Sequence, residues 1–573
     1  METDPRRDRY PRMPRWFAWI WVIVFLVFAC EPPPPAEPRD IGPARLVLIH
    51  TSDLHSHLFP ERQVLDGVDA ARGLGTAGEL AEVGGFARIA RVVGEMRAGA
   101  QHRLYLDSGD LVEGTAAFTE FGGEPELRAF SALGLNAAAL GNHDLSSGAE
   151  AFAEVHRQFA EFPILASNFA DNGSELSSAL SPSVVLDAQG LRVGVIGVAN
   201  PTSPSGLGRA DNPYGIELVP TASAVQAEID RLRPQTDVLV ALSHLGLEAD
   251  ERLVSGTSGL DVVLGGHQHL ALDAALARSD CGPALQAERG CRPRNVILAH
   301  SGALGRYVGE LDLELRPVAE DASNVVGPNQ LEVAAAEHSL IPVSAQVVPE
   351  PAFTELLEPY RERLDAAGFN APLAFALGAI ERYADDGGDS TLGDLVTDAL
   401  RAQSGADFAL LNATGIRADL PPGELTRATF AAALPFDDEL TVLELSGAQL
   451  RALFNQQARV ANERDCQTPI QISGFTLAFK CSGSAPAALA RVVGSGQELV
   501  ATKTYSLVTT AYLAGGGSGF DSLTEATARH SPGRLPLDAV LDSVIQLPSC
   551  ARSSLPCLDP TKFRDRRIVL QVP

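Results

Sequence analysis

LIHTSDLHSHLFP, residues 48–60, begins as an apolar strand and then sets Asp53, His55 and His57 at alternating positions. One polar side chain at a strand end is ordinary. Here the pattern recurs: Asp110 ends RLYLDSGD, Asn142, His143 and Asp144 end AAALGNHD, His244 ends DVLVALSH, and His267 and His269 close LDVVLGGHQH. Carboxylate, amide and imidazole donors at the ends of successive apolar strands point to one site assembled at the edge of a sheet. Between these runs lie segments of helical period such as GGFARIARVVGEMRAG and PTASAVQAEIDRLRPQ, so the alternation predicts an α/β layered domain.

Working outward, residues 350–368, EPAFTELLEPYRERLDAAG, read as one helix joining this domain to a second body. Beyond it, helices (TLGDLVTDALRAQ, SGAQLRALFNQQAR) mix with strands (FALLNAT, LTVLELS, TYSLVTTAY), which predicts an α+β domain. The 573 residues are more than one core needs. The divisions expected are an N-terminal domain over 44–348, a linker helix over 349–370 and a C-terminal domain over 371–573.

The ordered set D-x-H, G-D, G-N-H-D, H, G-H-x-H resembles the calcineurin-like metallophosphoesterases, which implies a four-layer αββα domain holding two divalent cations. Two cations roughly 3.5–4 Å apart repel each other, so a carboxylate between them and neutral nitrogen and amide donors around them suit the pair. By that resemblance Asp110 bridges. Asp53, His55 and His269 then complete one metal site, and Asn142, His244 and His267 the other. His143 is the histidine left to hydrogen-bond a phosphoryl oxygen or protonate the leaving alkoxide, and His57 is a supporting or simply polar neighbour. Mixed N/O ligation suits Zn, Mn, Fe or Co alike.

GGFARIARVV, ALGLNAAALGNHD and SGALGRYVGELDL in the first domain, with NATGIRADLPPGELT, ALPFDDELTVLELSG and GGGSGF in the second, narrow the likeness. Nearly the whole chain past its first segment resembles the 5'-nucleotidase family, UDP-sugar hydrolases included. That resemblance implies a C-terminal domain that grips a nucleotide, with Asn412, Arg417 and Arg382 at ribose and phosphate and Phe436 and Phe520 sandwiching the base. The chain also departs from the pattern. Ser146 stands where the family usually pairs an Asp with the catalytic histidine, which leaves Asp144 as a substitute. Asp386 stands where a second phosphate-binding arginine commonly lies, and Asp394 replaces an Asn.

The first 15 residues carry Arg6, Arg7, Arg9, Arg12 and Arg15 ahead of the apolar WFAWIWVIVFLVFAC. This predicts an export signal over 1–29, a lipid-anchored Cys30 at the end of VFAC, and a proline-rich tether over 30–43 holding the body off a membrane. The other six cysteines fall into three short-range couples, Cys281 with Cys291, Cys466 with Cys481 and Cys550 with Cys557, which suit an oxidising compartment. A net charge of −27 argues against a nucleic-acid polymer as partner. The reading is an exported two-metal phosphoesterase acting on nucleotides. A thiosulfohydrolase of the same architecture and a catalytically silent binding protein are the alternatives.

Overall fold

The computed structural model describes residues 42–571 except 100, 171–172, 202–216, 318–330, 437, 465, 481–487, 493–496 and 552. The export signal, Cys30 and all but the end of the tether lie outside these residues. Among the described residues no helix is long and apolar enough to cross a membrane.

The strand of the opening stretch, Ala44–Thr51, shows how the layers arise. Successive side chains of a strand face opposite ways. Leu46 and Leu48 therefore point into one core with Leu104, Leu106, Val240 and Leu264, while Val47 and Ile49 point into another with Phe86, Ile89 and Phe130. The first core lies between two sheets. One has seven strands and places Ala44–Thr51 between Tyr307–Pro317 (antiparallel) and His102–Asp107 (parallel). The other has six, with Leu191–Val198, Val238–Ser243, Val262–Gly265 and Asn295–His300 running parallel.

Helices Phe86–Gly99 and Glu124–Leu133 cover the outer face of the first sheet, and Thr221–Leu232 and Leu247–Ser255 cover that of the second. The result is the expected four-layer αββα domain. Because the central strands are parallel, their C-terminal ends open on one side, where loops can converge.

The joining helix, Pro351–Ala366, packs on the first domain. Leu357 and Leu364 are buried in its outer core, and Phe353 meets Phe86 with ring centroids 5.8 Å apart. Tyr360 donates to Glu124 at 2.8 Å. The C-terminal domain follows as an α+β body. Its five-stranded sheet runs in the order Ile470–Ser473, Phe408–Asn412, Thr504–Thr510, Leu440–Ser446, Ala528–His530, with helices Thr391–Ser404 and Gly447–Glu463 packed into a single core.

Disulfides join Cys281 to Cys291 and Cys550 to Cys557. Cys466 is also disulfide-bonded, and Cys481, its expected partner, lies outside the described residues.

Candidate active site

The donors come together at the open side of the sandwich, each on the loop after its strand. Ligand atoms of Asp53, His55 and His269 lie within 4.8 Å of one another, as do those of Asp110, His244 and His267, and those of His55, Asp110 and His143. Asp110 stands in the middle, its Oδ2 2.9 Å from His244 Nε2 and 3.6 Å from His55 Nε2. Asn142 Oδ1 is 3.0 Å from His267 Nδ1, which gathers amide and imidazole on the second flank. His57 lies apart from the cluster, paired with Glu61 at 3.0 Å.

This donor set fits divalent cations on three structural grounds. The oxygen and imidazole nitrogen donors are those that Zn, Mn, Fe or Co accept. Next, the imidazoles are already oriented: His55 Nδ1 donates to the Glu113 carbonyl at 2.8 Å and His244 Nδ1 to the Ser108 carbonyl at 2.7 Å. A carbonyl can only accept, so in both rings Nδ1 carries a proton and Nε2 is the nitrogen turned to the cluster. Finally, Asp53, His55, Asp110, His267 and His269 all have φ between 49° and 77°. Such left-handed backbone costs a non-glycine residue of order 1–3 kcal/mol, and it gathers at functional sites.

Burial and mutual charge shift these groups. Burial raises the Asp53 carboxyl to about 6. It also works to lower the His244 imidazole, but the Asp110 carboxylate outweighs it and holds that ring at about 10. Burial likewise brings His267 down to about 4, leaving a neutral ring suited to ligation. Arg417 of the C-terminal domain reaches into the cluster, its Nη2 3.2 Å from both His55 Nε2 and His269 Nε2. Burial lowers the Arg417 guanidinium from its ordinary value, and the Asp110 and Asp53 carboxylates offset only part of that cost.

Between the domains a cavity of about 490 Å³ is lined by Asn142, His143 and Ser146 on one side and by Asn412, Arg417, Phe436, Thr510 and Tyr512 on the other. The His143 and Phe436 rings stack at 5.7 Å and 22°. Arg382 stands behind Arg417, donating to its carbonyl, and its guanidinium lies 4.9 Å from the Tyr383 ring centroid.

Two residues, Phe520 and Asp144, sit otherwise than the sequence suggested. Phe520 is 2% exposed and packs in the C-terminal core rather than against the cavity, where Tyr512 supplies an aromatic ring instead. Asp144 does not serve as the carboxylate of His143. Its oxygens accept the backbone N–H groups of Asp110, Leu111, Val112 and Gly141, at 2.8 to 3.3 Å, and so tie the Asp110 loop to the Asn142 loop. The carboxylate that meets His143 Nδ1 is Glu113, which also takes the Ser146 hydroxyl. Asp394 is buried beside Arg567, 3.4 Å away, and Asp386 accepts from Gly388 within its own turn.

Glu113 and Tyr512 were not singled out from the sequence. Tyr512 lies within TYSLVTTAY, which reads there only as a strand. The signal for Glu113 was indirect: a serine at position 146 leaves a buried histidine wanting an acid, and DLVEGT supplies one three residues after Asp110.

Residues 46–271 match the calcineurin-like phosphoesterase model and residues 372–525 the 5'-nucleotidase C-terminal domain, which takes in more than half of the chain. The 5'-nucleotidase of Diplobatis ommata is 26% identical over 539 residues, covering 88% of each chain. The chain belongs to the 5'-nucleotidase family. The human 5'-nucleotidase is also 26% identical, over 541 residues that cover 87% of this chain and 88% of that one.

Among solved structures, the 5'-nucleotidase precursor of Thermus thermophilus superposes with a TM-score of 0.76 at 25% identity, over 92% of this chain and 99% of that one. A sulfate thiohydrolase of the same organism shares the fold, with a TM-score of 0.69 at 17% identity over 93% and 98%. Like its 5'-nucleotidase relatives, the chain is a metal-dependent phosphoester hydrolase.

Proposed function

We propose that this 5'-nucleotidase-like enzyme is exported, holds two divalent cations and hydrolyses nucleotides. The observation that carries the reading is the cavity that sets His143 and Asn142 of one domain against Arg417, Asn412 and Phe436 of the other. In this reading Asp53, His55 and His269 hold one cation, Asn142, His244 and His267 the second, and Asp110 both. When bound, the cations supply Lewis acidity and lower the pKa of a water toward neutrality for in-line attack on phosphorus.

The remaining work falls to side chains. Arg417, whose guanidinium already reaches the metal ligands, holds the phosphoryl oxygens as negative charge builds on them. His143 faces the cavity and protonates the departing alkoxide. Phe436 and Tyr512 offer ring faces to the base, and Asn412 and Arg382 hold ribose or phosphate. A phosphate clamp built on Arg417 and Arg382, with Asp386 in place of a further cation, suits a substrate whose charge is concentrated on the phosphate being cleaved.

The division into 44–348, a joining helix over 349–370 and 371–573 assigns the chemistry to the first body and substrate grip to the last. Export by residues 1–29 is supported by the disulfides, which belong in an oxidising compartment, and lipid anchorage at Cys30 completes the reading from the sequence alone. Loss of both ring faces from the cavity would have favoured the thiosulfohydrolase alternative, and Phe436 and Tyr512 speak against it.

The test is a panel of nucleoside mono-, di- and triphosphates, UDP-sugars, cyclic nucleotides and a nitrophenyl ester, each run with Zn, Mn, Fe and Co. A nucleotide should exceed the nitrophenyl ester in kcat/KM. Equal or better hydrolysis of the nitrophenyl ester would remove the nucleotide from the reading.

A further inference from the structure

Glu113 touches both halves of the catalytic cluster. Its side-chain Oε2 takes the Nδ1 of His143 and the hydroxyl of Ser146. Its backbone carbonyl takes the Nδ1 of His55. The residue is 8% exposed, and its φ of 65° is left-handed, a conformation rare for a side chain of its size. The loop passes His55 so closely that a Cβ on Gly114, the next residue, would lie 2.5 Å from the His55 carbonyl oxygen. Only glycine fits there. A strained, buried acid whose two sets of contacts each aim an imidazole is placed to organise the site.

We propose that Glu113 is a positioning residue for the phosphoryl-transfer centre, supplying His143 with the carboxylate that the family pattern puts on the histidine's own loop and that Ser146 here does not provide. The inference rests on the role given to His143 above. A carboxylate on Nδ1 fixes the ring in one tautomer and one orientation, so that Nε2 is the atom turned to the leaving group. Ser146 donates to the same oxygen and locks the Glu113 rotamer. Asp144 cannot take this part, since its oxygens are committed to backbone N–H groups. The acid has thus moved from the loop after Ala137–Ala139 to the loop after His102–Asp107 while still meeting the same ring.

The experiment moves the acid back. The full chain, E113Q, S146D and E113Q/S146D are compared for kcat and KM on a nucleoside monophosphate and on nitrophenyl phosphate. Bound metal and the low-field imidazole N–H proton resonance are measured beside them. E113Q should lower kcat on the nucleotide roughly a hundredfold with KM within a few-fold. The loss on the nitrophenyl ester should be smaller, because that leaving group needs no proton. The low-field resonance should vanish in E113Q and return in E113Q/S146D together with most of the lost kcat, and metal content should stay at the parent's level throughout. S146D alone, which crowds two carboxylates on one ring, should gain nothing.

Parent-like kcat in E113Q overturns the proposal, as does a double variant that recovers neither turnover nor resonance. Loss of metal from E113Q overturns it in favour of a role in holding the cations. A parent chain inactive on both esters overturns the phosphoesterase reading itself and this inference with it, whereas activity in the parent with no effect of E113Q overturns this inference alone.

Discussion

The two walls of the interdomain cavity are built from opposite materials. The wall from the first domain presents Glu113, Asn142, His143 and Ser146, and beside His143 gather the buried Asp53, Asp110, His55 and His244 at strand ends. The wall from the second presents a guanidinium, an amide, hydroxyls and aromatic rings, from Asn412 at a strand end, Arg417 and Phe436 on loops and Tyr512 in the short helix Ala511–Ala514. The first is over-determined: carbonyls fix His55 and His244, and Asp144 ties two of the ligand-bearing loops together. The second is tied as well, Asn412 donating to Thr414 at 2.9 Å and the Tyr512 N–H to Asp438 at 2.8 Å. Both sides stand where strands end over packed cores; they differ in their groups, buried acids and imidazoles on one side and a guanidinium, an amide and aromatic rings on the other.

Asp110→Asn should break this comparison most severely. An amide in the centre of the cluster cannot offset two cations, so turnover should fall to background and bound metal should drop. Full metal occupancy in that variant would show that Asp110 does not bridge. Arg417→Ala comes next. Removing the guanidinium that reaches His55 and His269 from the opposite wall should cost about 10²–10³-fold in kcat/KM on every phosphate ester, nitrophenyl phosphate included. A loss confined to nucleotides would move Arg417 from the phosphoryl group to the nucleoside.

Smaller and more selective effects separate the rings. Phe436→Ala should raise KM for nucleotides about five- to 150-fold, from stacking worth about 1–3 kcal/mol, and leave nitrophenyl phosphate nearly unchanged. Phe520→Ala should do the reverse. Its ring fills the C-terminal core, so the variant should lose about 3–5 kcal/mol of stability while its KM holds. Denaturant titration beside nucleotide kinetics distinguishes them, and a KM effect from Phe520 would return it to the cavity.

The gathering of the donors was legible from sequence because strand period fixes where each residue emerges. Leu46 and Leu48 must face the inter-sheet core and Val47 and Ile49 the helices, so the residues just past Thr51 can only surface at the sheet's open edge. Every donor in the D-x-H, GNHD and GHxH segments inherits that constraint. Glu113 was not legible, since it lies well past Asp107, the last strand residue that could set its direction, and an unusual φ turns it back. Phe520 was misplaced for a related reason. In a run of four glycines and a serine the local sequence permits many directions, and burial in the core decides which one the ring takes. Asp394 pairs with Arg567, from the far end of the C-terminal domain, a contact that no local pattern announces.

The smallest effect tests the charge side of the comparison away from the cavity. Glu126, on helix Glu124–Leu133 behind the metal wall, is fully buried, and burial raises its carboxyl from 4.5 to about 7. The folded protein therefore keeps that proton longer than the unfolded chain does. Its contribution to stability is fully present below pH 4.5 and is lost as pH rises through about 7, which amounts to about 2–3 kcal/mol across that window. Glu126→Gln cannot ionise. Its unfolding free energy should change less between about pH 5 and 7.5 than the parent's, with the variant gaining on the parent at the alkaline end and kcat unaltered. Denaturant melts at several pH values within that window provide the measurement. Parallel curves for the two proteins would mean that Glu126 is already ionised in the fold, and that the first domain accommodates a buried negative charge outside its metal cluster.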